Sequence, residues 1–222
     1  MRTALLLSSL GFASLLLAPA HAADPLTGRP LKEDSRYLHN SQFLLSFGIQ
    51  NGGNEMWALT DKDTGEQVDS SRAGGYTRLT FGGDIALGAS AFSVEVVAGV
   101  LQDSLRGDLD SGKSVFKRKI IELIPFWNFD RHRVGVGAVA HLEPTFYANP
   151  AGPGGYSQEF EDAVGAVLQY DIRLDQNISV GARYTYISYE KTDEIEMIGS
   201  RPLLPRNEYS GNAFGIHITY AF

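Results

Sequence analysis

The last twelve residues of the chain, Gly211 to Phe222, read GNAFGIHITYAF. Counting back in twos from the end gives Phe222, Tyr220, Ile218, Ile216 and Phe214, while the residues between are Ala221, Thr219, His217, Gly215 and Ala213. Strand side chains alternate between faces, so one face of this segment is wholly apolar with aromatic ends and the other is small or polar. A domain that folds in water buries such a face and has no reason to finish on it.

The same pattern recurs upstream. Ile178, Val180, Ala182, Tyr184 and Tyr186 face away from Ser179, Gly181, Arg183 and Thr185. Val164 to Tyr170 set against Gly165 to Asp171, and Val134 to Leu142 against Gly135, Gly137, Val139, His141, Glu143 and Thr145, repeat it. Nearer the start, Phe92 to Val100 oppose Ser93, Glu95, Val97 and Gly99; Leu79, Phe81 and Ile85 oppose Arg78, Thr80 and Asp84; and Phe43 to Ile49 oppose Leu44 to Gln50. The period is two throughout, which specifies strands and not amphipathic helices. Val115 to Phe129 is the least regular: setting Arg118 and Glu122 inward turns Ile121, Leu123 and Trp127 outward. Lys117 and Lys119 then also point outward and have to lie above any hydrocarbon. Pro125 removes one ladder hydrogen bond and suits a strand end.

Met1 to Ala22 opens with one positive charge, Arg2, and runs through a short apolar stretch to Ala20-His21-Ala22, a small-x-small site. This is the pattern of a secretory signal peptide, 1–22, and the apolar run is too short for a spanning helix. Residues 23–40, with Pro25, Pro30 and mixed charges, read as a short periplasmic lead-in, and 41–222 as the folded unit. No other stretch approaches the roughly 18 consecutive apolar residues that a transmembrane helix requires, so a membrane location implies a closed barrel. There is no cysteine, so an exported fold has no disulfide framework. The formal charge of -7 argues against nucleic acid as a partner.

Connections between the eight alternating segments measure about 22, 3, 13, 4, 15, 5 and 21 residues, long and short in strict alternation. Outer-membrane barrels pair long extracellular loops with short periplasmic turns, whereas Greek-key sandwiches have no such rhythm. The expected fold is therefore all-β, an eight-stranded antiparallel up-and-down transmembrane β-barrel. The chain resembles the small eight-stranded outer-membrane barrels of the outer-membrane protein X, attachment-invasion and opacity type, in architecture and terminal strand; no motif selects one family among them. The resemblance implies residence in the bacterial outer membrane, contact with its lipid and lipopolysaccharide, and a monomer. It also implies delivery to the barrel-assembly machinery through Phe214, Ile216, Ile218, Tyr220 and Phe222. Aromatic residues near the short turns (Phe126, Trp127, Phe129, Tyr170, Tyr220, Phe222) and near the long loops (Phe116, Phe146, Tyr147, Tyr186, Tyr189) are expected to form two headgroup girdles.

The inward set comprises Arg78, Asp84, Glu95, Arg118, Glu122, His141, Glu143, Asp171, Arg183 and His217. Eight strands enclose a space just wide enough for side chains, and an unpaired charge there is costly, so these residues are expected to form an interior ion-pair network. A plugged, polar interior follows, with a structural or surface-interaction role carried by four long loops. A narrow channel and a soluble lipocalin-like ligand binder, apolar inside and polar outside, are the further alternatives.

Enzymatic lipid A modification is another alternative. Deacylase barrels carry a His-x-Ser pair on the seventh strand; here Ser188 has Tyr186 in place of the base, and tyrosine is a poor base at neutral pH. No catalytic residue and no cofactor is expected. Asp61 to Glu66 and Asp108 to Gly112 resemble the start of calcium loops but lack the later ligands, so no metal site is expected. The four long loops hold 15 acidic and 7 basic residues. Met56-Trp57-Ala58-Leu59, Met197-Ile198 and Leu203-Leu204 are apolar within them, as strand extensions or self-packing segments, or as contact sites for a partner or lipopolysaccharide.

Overall fold

The computed structural model describes residues 41–60, 64, 67–88, 90–106, 113–149, 156–192, 197–198, 201–202, 204 and 206–222. The signal peptide and lead-in expected over 1–40 lie outside them, as do most residues of the two calcium-like stretches. Fifteen strands occur among the described residues. They are β1 Gln42–Gly52, β2 Glu55–Thr60, β3 Gln67–Arg72, β4 Thr77–Ala86, β5 Phe92–Arg106, β6 Lys113–Phe129, β7 His132–Asn149, β8 Tyr156–Glu159, β9 Ala163–Arg173, β10 Ile178–Tyr186, β11 Ser188–Glu190, β12 Met197–Ile198, β13 Arg201–Pro202, β14 Glu208–Ser210 and β15 Ala213–Ala221.

Eight of these, β1, β4, β5, β6, β7, β9, β10 and β15, pair antiparallel in chain order, and β15 closes on β1. Every backbone edge of the barrel is thereby used, the condition for crossing hydrocarbon with strands. The turns 87–91, 130–131 and 174–177 lie at one end, together with the start of β1 and the end of β15; the long connections lie at the other. Beyond the barrel, β2 pairs with β3, β8 adds to the outer end of β7, β11 pairs with β14 and β12 with β13. The strands β5, β6 and β7 run to 15, 17 and 18 residues, so residues 102–106 and 113–114, expected in the second long loop over Gln102 to Ser114, instead extend a sheet above the barrel.

The registers set the barrel's shape. Phe43 lies opposite Gly83, and the rung continues through Val96, Leu123, Ala138 and Ala166 to Tyr186. Thr185, one residue earlier, leads through Ala213 to Gly52, so the circuit returns to β1 ten residues beyond its start. With strands about 4.8 Å apart and about 3.3 Å of rise per residue, a stagger of that size tilts the strands roughly 40° and gives a radius of about 8 Å.

Burial alternates as the period-two pattern requires. Phe43 is 65% and Val164 77% exposed on the outside, whereas Ser46, Arg78, Glu95, Gln169 and Thr219 are buried within. This is the inverse of a soluble ligand-binding barrel. Along β6 the alternation is unbroken from Lys113 to Phe129, with Arg118 and Glu122 inward and Lys117 and Lys119 outward.

Two expectations are corrected. Glu143 points outward: its side chain is 70% exposed and pairs with Lys119 Nζ at 2.6 Å. The cause is a β-bulge. Between the rungs Lys117–Thr145 and Lys119–Leu142, β6 has one residue and β7 has two, and Glu143 adopts φ 50°. Past the bulge the parity of β7 inverts, so Phe146 and Ala148 turn inward. The second correction concerns the girdles: Phe116, Phe126, Phe146 and Tyr189 are buried inside the protein. Trp127, Phe129, Tyr170, Tyr220 and Phe222 remain exposed towards the short-turn end, and Tyr76, Tyr147, Tyr184 and Tyr186 towards the loop end.

Candidate functional site in the barrel interior

Inward parity and the rising register stack the interior charges in three tiers. Nearest the short turns, Arg133 of β7 donates from Nε to Asp171 Oδ2 at 2.6 Å and from Nη2 to Glu95 Oε2 at 2.7 Å, with Asp84 Oδ2 3.5 Å from Nη1. Its guanidinium lies 4.1 Å above the ring of Phe126, which shares the inward parity of Glu122 on β6. Asp171 also accepts from Gln169 Nε2 at 3.1 Å and from His217 Nε2 at 2.8 Å. A Cβ on Gly181 would collide with the Asp171 carboxylate and the His217 ring, so glycine is what admits this pair. Beside the tier, a cavity of about 20 Å³ opens at the barrel mouth among Gln42, Asn128, Arg133 and Thr219, room for about one water.

In the middle tier Glu122 of β6 receives two arginines. Arg78 Nη2 donates to Oε2 at 2.5 Å, and Arg183 Nη2 donates to Oε1 at 2.8 Å. Gln169 Oε1 accepts a longer bond from Arg183 Nη1 at 3.4 Å. All three charged side chains are 3% exposed or less.

Arg118 occupies the upper tier. It donates from Nη2 to Ala73 O at 2.8 Å and stacks 4.4 Å over the Phe116 ring and 5.3 Å from that of Tyr189. His141 Nδ1 and Tyr189 Oη share a hydrogen bond of 2.5 Å. Above this tier lies an apolar cluster: Phe116, Phe146, Phe160, Tyr189, Tyr209 and Leu204 pack together, Met56 joins them and Trp57 packs against them. The apolar loop residues Met56 and Leu204 thus pack on the protein itself. Backbone bonds tie the loops over this cluster, Asn54 N to Ser210 O at 2.8 Å and Glu161 N to Glu190 O at 2.9 Å. Burial lifts the Tyr189 phenol to about 12 and raises that of Tyr209.

The structure brings Asp84, Glu95, Asp171 and His217 together around Arg133, and Arg78 and Arg183 around Glu122; Arg118 and His141 meet through Tyr189. Glu143 stands outside. Two interior groups escaped sequence reasoning. Arg133 was reachable by continuing the alternation one residue below Val134, and Asp103, which accepts from Arg72 N at 2.6 Å, by continuing that of β5 upward. Ser188 Oγ donates to Glu208 Oε1 at 2.5 Å on the exposed outer rim. Among the described residues no group of three His, Asp or Glu is placed to hold a metal ion.

No family model matches the sequence, and comparison with curated proteins finds no match. Among solved structures the chain is similar to Ail, the attachment invasion locus protein of Yersinia pestis, in complex with the heparin analogue sucrose octasulfate. That match has 10% identity over 82% of this chain and 97% of that one, with a TM-score of 0.46. Ail in a phospholipid bilayer nanodisc matches at 11% identity over 82% of this chain and 100% of that one, TM-score 0.36. The outer membrane protein OprG from Pseudomonas aeruginosa matches at 16% identity over 83% and 97%, TM-score 0.37.

Proposed function

We propose that the chain is an integral outer-membrane β-barrel, monomeric, whose interior is a structural plug and whose function lies in surface contacts made by the loops at its outer end. The observation that carries this reading is the sidedness of the barrel. The outside is apolar between two sets of exposed aromatics, while the inside is filled by ion pairs below and an aromatic core above. Hydrocarbon is the solvent that such an outside matches, and backbone closure is what that solvent demands. The interior ion pairs hold strands together across the lumen and leave little room for a solute. The terminal strand, with Phe214, Ile216, Ile218, Tyr220 and Phe222 outward, serves the barrel-assembly machinery.

Fractionation of producing cells, with electrophoresis of the outer-membrane fraction before and after boiling, tests the reading. Enrichment in that fraction and a heat-dependent mobility shift are expected. Recovery as a soluble periplasmic protein without a shift would overturn it. An enzymatic role centred on Ser188 has only an exposed carboxylate, Glu208, as its partner, and Ser188→Ala is expected to leave lipid A composition unchanged.

A further inference from the structure

The bulge in β7 leaves one interior cation without the acid that plain alternation would set beside it. Arg118 is the single β6 residue opposite Glu143 and Pro144, and Glu143 turns outward there to pair with Lys119. Arg118 is 3% exposed, and its guanidinium donates only from Nη2, to Ala73 O at 2.8 Å. Nε and Nη1 are buried without a hydrogen-bond partner. The rings of Phe116 and Tyr189 lie against the group at 4.4 and 5.3 Å, and a Cβ on Gly75 would stand 2.8 Å from Nη2. Asp103, the described carboxylate whose charge acts on Arg118, accepts from Arg72 N at 2.6 Å and bonds neither free nitrogen. Ser71 and Ser114 stand one inward position nearer the loop end than Ala73 and Phe116; both are fully buried and neither hydroxyl has a partner.

Charge is distributed unevenly along the interior. One tier below Arg118, Glu122 is shared by Arg78 and Arg183, while Asp84, Glu95 and Asp171 gather around Arg133 in the lowest tier. The upper part of the interior thus holds three guanidinium groups against Glu122 and Asp103. A buried charge is costly without a counter-charge at hand, and buried N–H groups that no protein acceptor reaches mark where an ion or a water binds. Water satisfies such donors and leaves the charge uncompensated, whereas an anion answers both needs. We propose that Arg118 is the core of a buried site for a small inorganic monoanion such as chloride, held by its Nε and Nη1 N–H groups. Full burial with rings alongside suits a monoatomic ion better than a larger oxyanion. The site rests on the closed barrel and goes beyond the surface role proposed above.

The test is urea unfolding of the full mature chain in neutral phosphatidylcholine bilayers, with chloride replacing gluconate at constant sodium and ionic strength. A ligand that binds only the folded state stabilises it by mass action, so the unfolding constant of the parent is expected to fall about tenfold for each tenfold rise in chloride above the dissociation constant. In R118Q this dependence is expected to vanish. In K113Q/K117Q/K119Q, which removes the exposed lysines of the same strand, it is expected to persist. A heat-dependent mobility shift for each protein establishes a closed barrel, so loss of the site is distinguishable from failure of the barrel reading. Should R118Q not fold, the lysine variant decides: a dependence that survives in it supports the buried site, and one that disappears with the lysines overturns it. Chloride-independent unfolding of the parent, the result if water alone satisfies Arg118, overturns the proposal, as does an equal dependence in folded R118Q.

Discussion

Loss of Glu122 is costly, because it stands between two buried guanidinium groups. Arg78 and Arg183 both donate to it within 2.8 Å. Removing one partner of a buried ion pair leaves an uncompensated charge, at a cost of about 3–5 kcal/mol. Glu122→Ala is therefore expected to lower the unfolding free energy of the barrel by that amount, measured by urea unfolding in lipid bilayers through tryptophan fluorescence. A change below about 1 kcal/mol would show that the two arginines find other counter-ions. Tyr189, above the membrane, makes a prediction in pH. Burial raises its phenol to about 12, against the opposing pull of Arg118. The unfolded phenol titrates near 10, so the protonated form favours the fold. Its contribution is fully present below about pH 10 and is lost as pH rises towards 12, and the 295 nm absorbance titration should show a late component that Tyr189→Phe removes.

At the scale of elements, β15 closes the barrel, and the assembly role proposed for it separates from that closure experimentally. It joins β1 and β10 and closes the barrel, and its outward face ends on Tyr220 and Phe222, whose rings pack edge to face at 4.9 Å. Phe222 N donates to Phe43 O at 2.9 Å, one bond among the many of the closing seam. Deletion of Phe222 is expected to reduce outer-membrane yield in cells severalfold, while the purified variant refolded in detergent keeps a heat-dependent mobility shift. Equal yield in cells would deny the terminal residue a role in assembly. The bulge in β7 shows where reading by period stops. Alternation placed Glu143 inward, and nothing in the run HLEPTF marks where a rung is lost, although Pro144, lacking an N–H, is compatible with a bulge. The inversion of parity that carries Phe146 into the core is a property of the β6–β7 pair, because only the partner strand reveals which residue is extra.

For the whole molecule, the interior decides between plug and conduit. Two tiers of ion pairs, with stacked rings above them, lie inside a barrel of about 8 Å radius, the loops are bonded to one another over them, and the plug is the reading proposed from this arrangement. Liposomes carrying the protein are expected to show no swelling with small sugars beyond that of empty liposomes. Swelling at porin-like rates would require the aromatic core around Tyr189 to move aside and would reassign the protein as a channel.

Strand number, strand phase and the sidedness of the surface were legible along the chain, because a period of two is local: each residue's face follows from its neighbour's. Even β6, where outward Lys117 and Lys119 made the pattern look flawed, keeps the phase that Arg118 and Glu122 require. The partners of the interior charges were not legible. Which carboxylate meets which guanidinium depends on the stagger accumulated around all eight strands, and a shift of one rung would carry Arg133 away from Asp171. The aromatic core above Arg118 depends in turn on the bulge and on loops that return from distant parts of the chain. Alternation is set by backbone geometry within a strand, whereas pairing across the lumen is set by closure of the barrel, which exists only once every strand is in register.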